Sequence, residues 1–155
     1  MTRLILLVED DQNDVLLTKL AFEQAGIENP LHVVGDGREA LDYFEGTGEY
    51  ADRQKYPLPY LVLLDLKLPR AQGLEVLSWV RARSEFDSTI VIVLTASNSA
   101  EDLAAAYRLG ANAYVDKPSG MEQLCRLAQA IRDFWLVHNR VAPLVSPSPP
   151  PSSRA

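Results

Sequence analysis

Five short, predominantly apolar runs alternate along the chain with longer segments of helical periodicity, and this alternation limits the possible folds more than any other feature. Such runs fit strands buried on both faces of a parallel sheet better than they fit amphipathic helices. Five strands alternating with five helices predict an α/β fold, a doubly wound five-stranded parallel sheet flanked by helices. The runs lie at residues 4–8, 31–34, 61–64, 90–94 and 113–115.

Side chains capable of chemistry stand at the ends of four of these runs. Glu9 and Asp10 follow the first run, and Asp65 follows the third. Thr95 and Lys117 come at the ends of the fourth and fifth. In open α/β sheets ligands bind outside the carboxyl ends of the strands, and in the flavodoxin-like order 2-1-3-4-5 the first and third strands are neighbours. We therefore expect the two early acids beside Asp65, with the threonine and the lysine on flanking strands.

Acids gathered at one sheet edge need a counter-charge. Two carboxylates about 5 Å apart repel by roughly 3 kcal/mol at an effective dielectric constant near 20. Mg²⁺ would offset this repulsion, since it prefers oxygen ligands and leaves positions for a phosphoryl group. A carboxylate can then act as a nucleophile, while Thr95 and Lys117 would donate hydrogen bonds to the phosphoryl oxygens. Taken singly, Thr95 is better explained as an ordinary strand residue and Lys117 as a surface cation.

The helices carry recognisable ends, and the segment between the second helix and the third strand does not read as an element. Asp11 suits the N-cap of the first helix, and Ser99 with Glu101-Asp102 matches a capping box. Residues 45–59 are polar and rich in glycine and proline. We expect a long loop there, either a docking surface or a tolerated insertion.

Charge and composition exclude several classes of protein. The formal net charge is −6, which argues against a sequence-independent grip on nucleic acid or on an anionic membrane. A single cysteine, Cys125, excludes an internal disulfide, and no apolar span is long enough for a membrane helix or a signal peptide. The two histidines, His32 and His138, show no metal-ligand spacing. We expect a cytoplasmic protein with no nucleic-acid or membrane partner.

The domain organisation is simple. Residues 1–141 have the length and patterning of one domain, and residues 142–155 form a proline- and serine-rich tail that we expect to be disordered. A regulator that binds DNA would need another domain. Output is therefore expected to pass through protein contacts or a phosphorelay.

Four motifs in this order resemble the receiver domain of two-component response regulators, over about residues 4–134. Together they form a specific signature, although each is weak alone. The motifs are Val8-Glu9-Asp10-Asp11, Leu63-Leu64-Asp65 with Pro69 and Gly73 after it, Leu94-Thr95-Ala96, and Tyr114-Val115-Asp116-Lys117-Pro118.

The resemblance implies a set of roles. Asp65 would accept a phosphoryl group from the histidine of a kinase. Glu9 and Asp10 would hold Mg²⁺ together with Asp65 and the backbone carbonyl of Lys67. The side chain of Lys67 and that of Ser97 occupy positions that tune the phosphoryl lifetime in this family.

The same resemblance implies a switch. Thr95 and Lys117 would bind the phosphoryl oxygens, Lys117-Pro118 would be joined by a cis peptide, and Tyr114 would change rotamer as Thr95 moves. An alternative for Tyr114 is a strand aromatic that packs on the last helix.

The loop at 45–59 and the ending Phe134-Trp135-Leu136 resemble a narrower group, the stand-alone regulators of bacterial phytochrome histidine kinases. This resemblance implies a homodimer through the face made by the fourth helix, fifth strand and fifth helix. Trp135 and Leu136 would suit that interface, or could equally cap the monomer core.

Two competing interpretations remain. A phosphatase of the haloacid dehalogenase type also forms an aspartyl phosphate, but it requires Asp-x-Asp, and here Lys67 occupies the position of the second acid. The other is a receiver-like binding module that is never phosphorylated. We expect a signalling protein rather than an enzyme.

Overall fold

A sheet of five parallel strands runs through the middle of the molecule in the order β2-β1-β3-β4-β5. The computed structural model describes residues 3–143. The predicted fold class and strand order are confirmed. The strands are β1 (Ile5–Val8), β2 (Leu31–Val34), β3 (Leu61–Leu64), β4 (Ile90–Thr95) and β5 (Ala113–Asp116).

Five α-helices cover the two faces of the sheet, and the last one continues as a π-helical segment. No helix within residues 3–143 is both long enough and apolar enough to cross a membrane. The helices are α1 (Gln12–Gln24), α2 (Gly37–Glu45), α3 (Gly73–Arg81), α4 (Ala100–Arg108) and α5 (Met121–Ala130), followed by the π-helical Ile131–His138.

The sheet separates two apolar cores, because successive side chains of a strand point to opposite faces. Leu6 and Val8 of β1 point into the core beneath α2, α3 and α4. Ile5 and Leu7 point into the core beneath α1 and α5. Strands β1, β3 and β4 are buried at every position, which explains why their sequences show no polar alternation.

The predicted helix caps are formed, one of them only in part. The Asp11 Oδ1 atom accepts hydrogen bonds from the backbone N–H groups of Asn13 and Asp14, at 2.8 and 3.1 Å. Ser99 Oγ accepts from the backbone N–H of Asp102 at 3.2 Å. The reciprocal half of the capping box is absent among the described contacts, because the Asp102 carboxylate binds another hydroxyl instead.

The long loop after α2 is anchored to α2 itself. It contains a 3₁₀ turn at Gly48–Ala51, whose Tyr50 is buried and donates its hydroxyl hydrogen to Glu39 Oε1 at 2.8 Å. The Arg53 guanidinium donates to the backbone carbonyls of Tyr43 and Phe44, each at 2.7 Å. The expectation of a loop without an element of its own was therefore incomplete.

The C-terminal aromatic residues contact the monomer core. Trp135 and Leu136 pack partly buried against the core beneath α1 and α5. The Tyr60 hydroxyl donates to the Trp135 carbonyl at 3.3 Å, and Arg3 Nη1 donates to the Leu136 carbonyl at 3.4 Å. This supports the core-capping alternative for both residues. Of the predicted disordered tail, residues 144–155 lie outside the described residues.

Candidate functional site

The register of the parallel strands brings the reactive side chains to one edge of the sheet. Val8 at the end of β1 pairs with Leu64 at the end of β3, so the residues that follow them, Glu9 and Asp65, are neighbours. The Lys117 backbone N–H donates to the Thr95 carbonyl at 2.9 Å, which continues the pairing of β4 with β5. Four strand ends therefore meet at one place.

Three of the predicted acids form a cluster at this edge. One carboxylate oxygen from each of Glu9, Asp10 and Asp65 lies within 4.8 Å of the other two. Glu9 and Asp65 are buried, with 5% and 6% of their surface exposed, whereas Asp10 is exposed. A donor set made only of carboxylate oxygens suits a hard divalent cation. The cluster thus fits a divalent metal site, and the exposed Asp10 lies on the side of the cluster that faces solvent.

Lys117 lies among the carboxylates and contacts more of them than the sequence suggested. Its Nζ atom is 2.7 Å from Glu9 Oε2, 2.9 Å from Asp65 Oδ2 and 2.9 Å from Asp14 Oδ2. Burial alone would lower the pKa of Lys117, but the hydrogen bonds to the three carboxylates outweigh it and raise that pKa above its ordinary value. The ammonium is therefore the resting counter-charge of the site.

Burial disfavours the charged form of the Glu9 carboxyl. Desolvation raises the pKa of the Glu9 carboxyl to about 7, although the hydrogen bond from Lys117 acts in the opposite direction. The Asp11 backbone N–H also donates to Glu9 Oε1, at 3.1 Å. The charge of Glu9 is thus sensitive to anything that removes the lysine or introduces a cation.

Asp65 accepts hydrogen bonds from both sides. Its Oδ1 atom accepts from the Thr95 hydroxyl and from the Lys67 backbone N–H, both at 3.1 Å. Its Oδ2 atom accepts from Lys117. Thr95 is fully buried and Lys67 is exposed. Three kinds of hydrogen-bond donor therefore surround the Asp65 carboxylate: a hydroxyl, an amide and an ammonium. Phosphoryl oxygens accept hydrogen bonds from the same kinds of donor.

A pocket of about 200 Å³ opens beside this carboxylate, between α1 and the loop that joins β5 to α5. Its polar lining includes Glu9, Asp14, Asp65 and Lys117, and its apolar lining includes Leu17. Asp65 therefore lines a small cavity whose polar lining is made of charged side chains.

Gly73 allows helix α3 to begin against the site. A Cβ atom on this residue would lie 2.2 Å from the Asp65 carbonyl oxygen and 2.6 Å from Leu66 Cα. Both obstacles are backbone atoms, so no side-chain motion could relieve them. The glycine is therefore required for the close contact between the start of α3 and the segment that carries Asp65.

Tyr114 lies on the opposite face of the sheet from the expected packing partner. It packs against the core beneath α2, α3 and α4, so the alternative in which it packs on the last helix does not hold. Strand β5 alternates, and its neighbours Ala113 and Val115 take the α5 face instead. The Tyr114 hydroxyl donates to the Ser97 carbonyl at 3.4 Å, which connects it to the loop after Thr95.

The expected cis peptide between Lys117 and Pro118 is also wrong, because residues 3–143 contain no cis peptide bond. The trans form of a bond before proline is favoured by about 0.5–1 kcal/mol. Lys117 reaches its three carboxylates from the trans arrangement.

Sequence reasoning missed Asp14 and the contacts of Ser97. Asp14 is in the first turn of α1, where an acid is ordinarily explained by the helix dipole. Its only signal is that α1 begins at the reactive edge. The Ser97 hydroxyl donates to Asp102 Oδ2 at 2.6 Å, and its backbone N–H donates to Thr95 Oγ1 at 3.3 Å. A hydrogen-bonded chain therefore runs from Asp65 through Thr95 to the first turn of α4.

Comparisons with known sequences agree with this arrangement. Residues 5–129 match the model of the response regulator receiver domain family. The probable methanogenesis regulatory protein FilR2 of Methanothrix harundinacea is 40% identical over 140 residues, which cover 88% of this chain and 86% of FilR2. Response regulator Rcp1 of Synechocystis is 35% identical over 134 residues, 86% of this chain and 89% of Rcp1.

Solved structures show the same similarity in three dimensions. The phosphorylated cyanobacterial phytochrome response regulator RcpA matches with a TM-score of 0.84 and 33% identity, over 91% of this chain and 99% of RcpA. The Mn²⁺-bound form of Rcp1 matches with a TM-score of 0.81 and 34% identity, over 90% of this chain and 99% of Rcp1. The motifs, the strand order and these matches agree, and the chain belongs to the response regulator receiver domain family of two-component signalling proteins.

Proposed function

We propose that Asp65 accepts a phosphoryl group from the phosphohistidine of a sensor kinase, and that the chain passes the signal on through protein contacts. The observation that carries this proposal is the environment of one buried carboxylate. Asp65 has the Lys117 ammonium and the Thr95 hydroxyl bonded to its two oxygens. It also has the Glu9 and Asp10 carboxylates within reach of a shared cation.

The chemistry follows from these contacts. An Asp65 oxygen forms a bond to phosphorus while the phosphorus–nitrogen bond of the donor breaks, and the electron pair leaves with the imidazole. Lys117 and Thr95 hold the phosphoryl oxygens during and after transfer. We propose that Glu9, Asp10, Asp65 and the backbone carbonyl of Lys67 hold Mg²⁺, which supplies charge neutralisation for the incoming phosphoryl group when bound.

We propose a bacterial phytochrome as the kinase. The support is the similarity to RcpA, which is a phytochrome response regulator. We propose a cytoplasmic location for the chain, because a histidine kinase takes its phosphoryl group from ATP in the cytoplasm. The net charge of −6 supports output to proteins rather than to nucleic acid or an anionic membrane.

We propose that two copies associate through the face made by α4, β5 and α5. The support is the exposure of large apolar side chains on α4 and in the segment that follows α5. Leu103 and Tyr107 of α4 are 41% and 51% exposed, and Phe134 and Val137 after α5 are 52% and 58% exposed. Light scattering, which measures the mass of the particle in solution, tests this association. Tyr107→Glu should yield monomers, whereas the control Leu16→Glu, on α1, should not.

The experiment for the phosphoacceptor role is mass spectrometry of the intact protein after incubation with Mg²⁺ and acetyl phosphate. We expect one added phosphoryl group, lost on chelation of the metal and absent in Asp65→Asn. Asp36→Asn is the matched control, because Asp36 also follows a strand but caps α2 instead of joining the cluster. It should be labelled like the parent protein.

No addition to the parent chain, under conditions that label another receiver, would contradict the proposal. The binding module that is never phosphorylated would then be the better interpretation. Labelling of Asp65→Asn to the same extent would place the acceptor elsewhere. Transfer from a purified phytochrome kinase, compared with an unrelated histidine kinase, tests the partner separately.

A further inference from the structure

All three hydrogens of the Lys117 ammonium are directed at carboxylates. A lysine ammonium has three N–H donors, and Lys117 Nζ has three partners at 2.7 to 2.9 Å, one each from Glu9, Asp14 and Asp65. No donor is left over for another anion. A phosphoryl group on Asp65 can therefore be bound by this lysine only after an existing bond is given up.

The three partners differ in what phosphorylation does to them. Asp65 becomes the phosphorylated group itself, so its bond passes to a phosphoryl oxygen. Glu9 belongs to the acidic cluster that fits a divalent cation. Asp14 is outside that cluster among the described residues, and it touches the site only through Lys117. Its side chain is 38% exposed, whereas that of Lys117 is 18% exposed.

We propose that Asp14 is a positioning residue that holds the Lys117 ammonium toward α1 and competes with the phosphoryl group for it. The inference rests on the proposed phosphoacceptor role of Asp65. Asp14 keeps its negative charge and its lysine contact when the site is filled, so it limits how strongly Lys117 grips the phosphoryl oxygens. Replacing it with asparagine leaves only a weaker, uncharged hydrogen bond to the ammonium, so Lys117 binds the phosphoryl oxygens more strongly.

The probe is beryllofluoride, an analogue of the phosphoryl group, titrated into the full chain at saturating Mg²⁺ and followed by ¹⁹F NMR. We expect Asp14→Asn to bind it about two- to fivefold more tightly than the parent protein, a range typical of one partly exposed ion pair. Asp14→Glu keeps the charge and should bind like the parent protein.

Asp11→Asn is the matched control. It removes the same charge from the same end of α1, and asparagine still serves as the N-cap. Among residues 3–143 the partners of Lys117 do not include Asp11. We expect a change of less than about twofold in this control, since an exposed charge without a contact is screened.

The double variant Asp14→Asn with Lys117→Gln distinguishes positioning from a general effect. If Asp14 acts through the lysine, the gain from Asp14→Asn should vanish when Lys117 is already absent. A gain of the same size in the Lys117→Gln background, or an equal gain in Asp11→Asn, would overturn the proposal. Unchanged or weaker binding by Asp14→Asn would overturn it as well.

Failure of the phosphoacceptor role gives a different result from failure of this inference. A parent protein that binds no beryllofluoride in the presence of Mg²⁺ would refute both. A parent protein that binds it, with Asp14→Asn no tighter, would leave the role of Asp65 intact and refute only the role of Asp14.

Discussion

Replacing Lys117 with methionine should tighten the binding of Mg²⁺ to the resting protein. The Lys117 ammonium contacts Glu9 Oε2 and Asp65 Oδ2, and both of these residues belong to the cluster that fits a cation. The lysine and the metal therefore compete for the same carboxylates before any phosphoryl group arrives. Methionine keeps most of the side-chain volume and removes the competing charge together with its N–H donors.

The size of the effect follows from simple electrostatics. A unit positive charge about 5 Å from a divalent cation opposes its binding by roughly 6 kcal/mol at an effective dielectric constant near 20. Partial exposure of the site to water and salt reduces this several-fold. We expect a gain of about 1.4–2.8 kcal/mol, equivalent to a dissociation constant lower by roughly ten- to a hundredfold.

The assay is isothermal titration calorimetry with Mg²⁺. It should be run well above the Glu9 pKa of about 7, so that loss of the lysine does not simply protonate the glutamate. Lys67→Met is the control, because it removes a positive charge from an exposed side chain in the loop after Asp65. An unchanged or weaker affinity in folded Lys117→Met would refute the idea that the ammonium and the metal compete.

Three other predictions concern stability and the lifetime of the phosphoryl group. Arg81 donates to the carbonyls of Gly110, Phe86 and Thr89 at 2.8 Å each, so Arg81→Leu should lower the free energy of unfolding in urea by about 3 kcal/mol. Burial lowers the pKa of His32 from 6.5, against the charges of Glu39 and Glu49. At His32 the folded protein binds fewer protons than the unfolded chain, so the contribution of this residue to stability should fall as the pH drops from 6.5 to the lower folded-state pKa. Glu9 acts in the opposite direction, because burial raises its pKa to about 7. In urea unfolding on either side of pH 6.5, the change in stability on acidification should therefore be more favourable in His32→Phe than in the parent protein, whereas His138→Gln should behave like the parent protein. Lys67→Asn should speed loss of the phosphoryl group from Asp65 about threefold by opening access to water, and an unchanged rate of dephosphorylation would contradict this.

Local sequence was enough to predict the elements and most of the site. A continuous apolar run requires burial on both faces, and the turn residues and caps around it fix where each helix begins. The acids after β1 were identifiable because no packing role explained Glu9 or Asp10. Asp65 was identifiable because it directly follows the buried strand β3. The strand order could be predicted from the sequence only by assuming a flavodoxin-like topology, since which strands are neighbours depends on how the crossovers wind.

The errors share a different origin. The capping box predicted at Ser99 was only half formed because the Asp102 carboxylate found the Ser97 hydroxyl, a partner outside the motif. The alternative that placed Tyr114 on the last helix did not hold, because the side that an edge-strand aromatic takes depends on the register of the whole sheet. The loop after α2 looked unstructured because its anchor, Tyr50, bonds to a glutamate on another element.

The fold class, the strand ends and the chemical types of the site residues follow from the order of amino acids, because burial and backbone propensity act over a few neighbouring residues. The sharing of charges at the site depends on how the whole chain packs. Lys117 and Asp14 are 103 residues apart in the chain, yet their side chains are bonded. Their contact exists because parallel strands gather their carboxyl ends at one edge, where the start of α1 faces the loop after β5. A pairing of that kind depends on the packing of whole elements, which no local pattern records.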